Sequence, residues 1–467
     1  MNEVEPPKLA DEYRWYAEHA ALLYSTLKWA LLGVLSGVCV GRGTRAFLSA
    51  LMWTTSRVTH AFHGPVPYYA LLPIALPGCV YLIRTFAPTA KGHGTEAVIA
   101  AVHESHGKID WRVAPIKLAA TVLTLAFGGS VGKEGPCAQI GAAITSLFAD
   151  ILRLGNEDRR RLVICGISGG FAAVFGTPIA GALFGIEVLY LGRIEYSVLF
   201  PCLISGIAAH LVCGAVAPTP HFHVAAGTLN KASLALLSIV FGAMCGLVAL
   251  TLIESMRGLE RALKAASKHP YAVALAGGVL LAVIYRFCGT APAGLGLPAI
   301  QSALAGAVPA IGLLFALKIV TTTVTLETGG SGGIITPLFC IGATFGAAFA
   351  QLFHLPIALF AAFGLIAVAA AGANTPIALS VMAMAILPTE IGVFAALSAC
   401  TAYLLVGHRS VYASQKLGFV KSAALSMDLD IPVGQVSRRR IRLRSSSATQ
   451  RLLKLADRKV EFRRRRG

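Results

Sequence analysis

Residues 128–142 run Gly-Gly-Ser-Val-Gly-Lys-Glu-Gly-Pro-Cys-Ala-Gln-Ile-Gly-Ala, and 201 positions later residues 329–343 run Gly-Gly-Ser-Gly-Gly-Ile-Ile-Thr-Pro-Leu-Phe-Cys-Ile-Gly-Ala. The glycine-serine triplets, Pro136 and Pro337, and the Ile-Gly-Ala endings keep one offset. Only the first copy carries a charged pair, Lys133-Glu134. A repeated glycine-rich break in an apolar chain, charged in one copy, is how interrupted helices build an ion site at membrane depth.

The repeat extends beyond this segment. Lys117 and Lys318 each open a Thr-rich run, with Thr121/Thr322, Thr124/Thr325 and Leu125/Leu326 matching at the same offset of 201. Gly92-His93-Gly94 and Gly294-Leu295-Gly296 lie 202 apart, and the two Thr-Pro-Ile-Ala runs at Thr177 and Thr375 lie 198 apart. Four elements in one order exclude chance. The expected organisation is an amphipathic cytoplasmic segment (1–28), a first membrane repeat (29–252), a charged cytoplasmic linker (253–269), a second membrane repeat (270–425) and a basic cytoplasmic tail (426–467). Spacing does not separate parallel from inverted repeats; inverted topology is the commoner partner of broken helices around a midplane site.

Composition supports membrane residence. Hydrophobic residues make up 56% and charged residues 13% of the 467 positions, where a soluble chain carries about a quarter charged. The mean hydropathy is +0.70. Apolar runs seldom reach the roughly 20 residues of a straight span, because 48 Gly and 22 Pro interrupt them. Such backbone survives at membrane depth only where protein or a water-filled cavity covers it. An all-α polytopic protein of tilted, incomplete helices is therefore expected.

The net charge of +18 is local: thirteen Arg/Lys against Asp457 and Glu461 between Arg438 and Arg466 supply +11. This predicts a cytoplasmic tail against anionic lipid headgroups or simply solvated there. It does not predict a nucleic-acid partner, since no aromatic or zinc-binding module accompanies it. The ten Cys are scattered, so neither a metal site, a disulfide framework nor a cofactor is expected. The N-terminus lacks the features of a signal peptide.

Glu134 lies between Gly132 and Gly135-Pro136. Proline suits the first turn of a helix, and the N–H groups and dipole of that turn form an anion site. A carboxylate there can act as a tethered anion that protonation releases, which makes Glu134 a gate, a proton acceptor or both; the alternative is an ion pair with Lys133 or another cation. Gly332-Gly333-Ile334-Ile335-Thr336-Pro337 offers the same geometry without the acid. His93 offers ring N–H donors, or is a histidine satisfied by backbone. Tyr412 offers a phenolic donor, or is an interfacial belt residue. Glu187 and Glu327 are intramembrane acids that serve as proton relays or as hydrogen-bond partners of helix ends. Lys117 and Lys318, repeated in both halves, look structural.

Together these residues resemble the CLC family of chloride channels and chloride/proton antiporters, over about residues 30–425. Gly132-Lys133-Glu134-Gly135-Pro136 looks like the family's gating-glutamate motif, and Gly333-Ile334-Ile335-Thr336-Pro337 its second anion-binding loop, with Ile335 where Phe is usual. Gly92-His93-Gly94-Thr95-Glu96 aligns with a motif that usually has serine at His93 and proline at Glu96, and Tyr412 falls on the anion-coordinating tyrosine. The resemblance implies about eighteen helices in two inverted halves and a homodimer with one pathway per subunit. It places the protein in a bacterial inner (plasma) membrane with both termini cytoplasmic and no CBS pair. It also implies chloride, or another halide or nitrate, held by the N–H groups of Ile334 and Ile335, by Tyr412 and by His93. Gly132, Lys133 and Gly135 belong to the same anion-binding set, and Glu134 blocks the outer site.

Coupled antiporters of the family usually carry a second, inner glutamate directly after the residue matching Glu187; here that position is Val188. Its absence makes passive chloride conduction the preferred reading over chloride/proton antiport. Thr336-Pro337-Leu338-Phe339 echoes the fluoride-exporting branch, although Pro136 and Tyr412 speak against it. A membrane-embedded enzyme using Glu134 and His93 as acid and base ranks last, because the second copy is charge-poor and no metal or nucleophile set accompanies it.

Overall fold

A computed structural model describes residues 11–62, 67–217, 222, 224, 230–307, 312–436 and 442–443. The first half comprises α1 (Asp11–Ala61), α2 (Leu72–Phe86), α3 (Thr95–Glu104), α4 (Val113–Ala126), α5 (Glu134–Ile151), α6 (Asn156–Phe175), α7 (Pro178–Glu187) and α8 (Leu199–Cys213). The second comprises α9 (Lys231–Leu263), α10 (Pro270–Cys288), α11 (Leu297–Leu304), α12 (Leu314–Glu327), α13 (Ile335–Leu352), α14 (Ile357–Ala373), α15 (Pro376–Ile386) and α16 (Thr389–Leu405). The two sets correspond one for one. Helices α4 and α12 are both 14 residues long, and α5 and α13 both 18. Among the described residues there are thus sixteen α-helices, with short 3-10 turns between some of them, where the resemblance implied about eighteen.

The fold is an all-α polytopic membrane protein built from inverted repeats, and the meeting of the two glycine breaks shows the inversion. Gly132 N–H donates to the Gly333 carbonyl at 2.6 Å and Gly333 N–H to the Gly132 carbonyl at 2.7 Å, an antiparallel bridge. Two copies of one motif can pair reciprocally and antiparallel only if they run in opposite directions. Flanking hydrogen bonds repeat the symmetry. Ser130 N–H donates to Thr325 Oγ1 at 3.1 Å and Ser331 N–H to Thr124 Oγ1 at 3.0 Å. The Ser130 and Thr322 hydroxyls lie 2.9 Å apart, and those of Thr121 and Ser331 3.1 Å. Each half's serine is held by the other half's threonines, so the Thr-rich runs are the seam between repeats.

Lys117 and Lys318 do the same work in each half. Lys117 Nζ donates to the carbonyls of Ala90 and Gly92, and Lys318 Nζ to those of Pro292 and Gly294. Both lysines are fully buried. Each ties down the irregular loop that precedes the short helix α3 or α11, where carbonyls lack helical partners.

Among the described residues, six helical stretches are long and apolar enough to cross a membrane, including those containing α1, α9, α10 and α13. The most buried of the shorter apolar helices is α14, in which every residue from Leu359 to Ala373 is in the core. Short helices covered by long ones answer the requirement that broken backbone be shielded from lipid. The outer helices pack through small residues, α1 on α8 at Gly33, Gly37 and Gly41, and α9 on α16 at Gly242 and Gly246.

Two expected boundaries fall inside helices. Residues 11–28 continue without a break into the first long helix, and residues 253–263 of the charged stretch are the last turns of α9. Charged side chains there lie along a helix that extends past the apolar span. A parallel pair, β1 (Tyr190–Leu191) with β2 (Lys416–Leu417), anchors the chain after α16 to the end of α7. Residues 1–10 and most of the basic tail, with its expected lipid contacts, lie outside the described residues.

Candidate functional site

The two glycine breaks each deliver the chain into a helix N-terminus, at Glu134 for α5 and Ile335 for α13. Neither helix has a side-chain N-cap from its own sequence, so first-turn N–H groups stay free for another acceptor. Ile334 and Ile335 are fully buried, and among the described residues no hydrogen bond takes up their backbone N–H groups. Gly132 differs from its expected part: its N–H is committed to Gly333, so it bridges the halves instead of donating to an anion. The reason is the antiparallel crossing, which uses one N–H and one C=O from each loop.

Glu134 is 1% exposed, and its carboxylate reaches across the bridge to the other half. Its Oε2 accepts from Thr336 N–H at 3.2 Å and from Thr336 Oγ1 at 2.5 Å. Thr336 is the second residue of α13, so the carboxylate occupies that helix's N-terminus, a place suited to any small anion. Lys133 makes no ion pair with it among the described residues. The cation alternative is therefore not what holds Glu134; a hydroxyl and a helix N-terminus do.

The loop before α3 meets α5 through backbone. A Cβ on Gly94 would lie 2.4 Å from the Gly135 carbonyl oxygen, and one on Gly135 would lie 2.1 Å from the His93 carbonyl oxygen. Gly94 also has φ +82°, so this approach needs glycine on both sides. It sets His93 beside the Glu134 segment. His93 Nδ1 is buried without a hydrogen-bond partner, as are Thr95 Oγ1 and the Tyr412 hydroxyl. Tyr412 is fully buried, with Thr95 as a neighbour and the Glu134 carboxylate in electrostatic range. The Thr95 and Tyr412 hydroxyls are side by side, and polar atoms short of partners in a buried spot are what a binding position looks like when buried polar groups otherwise find partners.

A network holds Tyr412 in place. Its N–H donates to Ser410 Oγ at 2.9 Å, and Ser410 Oγ donates to Gln415 Oε1 at 2.6 Å. Gln415 Nε2 donates to the carbonyls of Val188 and Ala373, both at 2.8 Å. Glu187, directly before Val188, accepts from Ile377 N–H at 3.0 Å and Ala378 N–H at 2.7 Å, capping α15. Val188 is fully buried. Glu327, at the end of α12, sits apart from this group, near Lys91 and Glu260.

The sequence alone does not pair Thr336 with Glu134. The available signal was its register: it matches Gly135 in the other repeat, and a hydroxyl at the second position of a helix start is a donor without a local acceptor. Thr95 and Glu96 were likewise passed over.

A sequence model described as "Voltage gated chloride channel" matches residues 74–407. A "Chloride/fluoride channel protein" of Pseudomonas syringae pv. tomato is 36% identical over 416 residues, covering 86% of this chain and 90% of that protein. An H(+)/Cl(-) exchange transporter of Cronobacter sakazakii is 30% identical over 375 residues, 74% of this chain and 79% of that one. The crystal structure of a CLC-type fluoride/proton antiporter superposes with a TM-score of 0.78 at 26% identity, covering 84% of this chain and 98% of that one. A slow cyanobacterial Cl-/H+ antiporter shares the fold, with a TM-score of 0.71 at 21% identity over 81% and 94% of the two chains.

Proposed function

The chain belongs to the CLC, or voltage gated chloride channel, family, and from that premise we propose that it carries halide ions, chloride and fluoride, along a pathway closed by the Glu134 carboxylate. The seat of Glu134 carries the reading: it lies at the N-terminus of α13, on Thr336 N–H and Oγ1. An anion arriving there competes with the carboxylate for one positive helix end. The N–H groups of Ile334 and Ile335, the Tyr412 hydroxyl and His93 hold the ion next to it, and Gly135 lets the His93 loop approach. The relative named for both chloride and fluoride supports the pair of substrates.

Transport exchanges halide for protons. A carboxylate buried on two donors and unpaired with a cation leaves its seat most readily when it takes up a proton, and named antiporters among the relatives support that coupling. Passive conduction is the second reading, favoured by Val188 at the position of the usual inner acid and by Glu187, whose oxygens are both taken by α15. The working unit is a homodimer in a bacterial inner membrane, with linker, termini and basic tail on the cytoplasmic side. No enzymatic step is part of the reading.

The test is proton movement in proteoliposomes under an imposed chloride or fluoride gradient. Uphill proton movement, lost in Glu134→Ala while halide flux continues, is the expected result. Halide flux with no proton movement leaves passive conduction; no halide flux from either anion overturns the reading.

A further inference from the structure

Among the described residues, four buried side-chain atoms without a hydrogen-bond partner come from Tyr412 and one short run: His93 Nδ1, Thr95 Oγ1, Glu96 Oε2 and the Tyr412 hydroxyl. Three are donors or acceptors that an anion or water satisfies. The fourth, Glu96 Oε2, is a carboxylate oxygen, which an anion repels and a proton satisfies. The other oxygen of Glu96 is well held, accepting from Ser414 N–H at 2.9 Å and Ser414 Oγ at 2.7 Å. The side chain is thus fixed by one oxygen while the other is buried without a well-formed hydrogen bond, the Ala413 N–H being a further donor in the neighbourhood. Anchoring alone would not require that second oxygen to be left so.

The surroundings fit a proton site. Glu96 is partly exposed as a residue, so water reaches its flank. Ser414, which holds Glu96, is two residues after Tyr412, so Glu96 sits against the Tyr412 loop, and Tyr412 has both Glu96 and Glu134 in electrostatic range. From α9, Glu260 faces Glu96, and Glu260 also faces Glu327, which has Lys91 nearby. Lys117 of α4 lies near His93, and α6 presents Arg160 to the far end of α3, at His103. The end of α9 that bears Glu260 is the polar stretch continuing past the apolar span. Three acids, Glu96, Glu260 and Glu327, are thus in electrostatic range of one another through Glu260, and Glu96 is the one adjacent to the unpartnered Thr95.

We propose that one mouth of the pathway lies at these acids and that Glu96 is the proton-carrying carboxylate between this mouth and Glu134. A hydronium ion at the mouth gives a proton to Oε2 and is left as water; that new O–H bond breaks as the proton passes inward through water at the site, and an O–H bond forms on the Glu134 carboxylate. This deepens the exchange reading above and rests on it. It also supplies a relay where Val188 does not.

The test uses full-length protein in proteoliposomes with halide and pH recorded together. Glu96→Gln keeps an amide oxygen for Ser414 but carries no proton, whereas Ser414→Ala removes the hydroxyl half of the anchor and keeps the carboxyl. The expected result is proton movement reduced at least about tenfold in Glu96→Gln with halide flux within about twofold, and both retained in Ser414→Ala. If wild-type protein moves halide but no protons, the exchange reading has failed. Glu96 is then judged on the pH profile of halide flux, which Glu96→Gln shifts and Ser414→Ala leaves in place. Wild-type behaviour of Glu96→Gln in the applicable readout overturns the proposal. So does equal loss of halide flux in both variants, which makes Glu96 an anchor for the Tyr412 loop.

Discussion

Replacing Thr336 by valine removes one donor from the Glu134 seat and leaves the rest of the site in place. Valine matches threonine in shape, and the Thr336 N–H stays, so the carboxylate keeps the 3.2 Å bond and loses the 2.5 Å bond from Oγ1. A hydrogen bond to a charged group contributes about 1.5–3 kcal/mol. That weakens the closed state about 10- to 150-fold at about 1.4 kcal/mol per tenfold. The helix N-terminus attracts carboxylate and halide alike and so cancels. A ligand that competes with a tethered group gains apparent affinity by the factor the tether loses. The half-saturating halide concentration for flux therefore falls by at least about tenfold in Thr336→Val. Initial rates of chloride and fluoride flux from proteoliposomes across a concentration series measure it, with Thr336→Ser as the variant that restores wild-type behaviour. An unchanged or raised half-saturating concentration in Thr336→Val, with Glu134→Ala lowering it, would refute the competition for one seat.

Three further outcomes follow from the same geometry. Glu187→Gln leaves one α15 N–H facing an amide donor and costs about 1–3 kcal/mol; it lowers the thermal midpoint in detergent without abolishing halide flux, and loss of proton movement at unchanged stability would instead make Glu187 a relay. Gly135→Ala drives a Cβ to 2.1 Å from the His93 carbonyl oxygen and abolishes flux or folding, while Gly155→Ala, with nothing within 4 Å, leaves both unchanged; melting and flux measurements compare them. Gln415→Leu leaves the Val188 and Ala373 carbonyls and the Ser410 hydroxyl short of a partner; concentration series of flux show the half-saturating halide concentration rising as Tyr412 loosens.

The membrane class, the twofold repeat and the position of the site were legible because the repeat preserves identity where backbone is irregular. Glycine, proline and buried lysine leave few alternatives, so Lys117/Lys318 and the two breaks survive in both copies. The outer pairs α1/α9 and α8/α16 left little trace, since a lipid-facing helix needs only apolar residues and a small-residue seam. The direction of the repeats was not legible, because it shows only where Gly132 meets Gly333. For the same reason Gly132 looked like a free donor. The partner of Glu134 was hidden too: Lys133 is adjacent in sequence, whereas Thr336 is 202 positions away and reaches it only through the inverted crossing. The cap that Glu187 places on α15 is likewise a contact between halves, at a separation of 191 for Ala378.

The central claim is that Glu134 and a halide ion share the N-terminus of α13. Bromide-soaked crystals of wild-type protein and Glu134→Gln, with anomalous scattering recorded for both, test it directly. The account predicts bromide beside Ile334, Ile335 and Tyr412 in both, and a second bromide on the Thr336 N–H only in the variant. Bromide at Thr336 with the wild-type carboxylate still seated there, or no bromide at this helix end in either crystal, would contradict it.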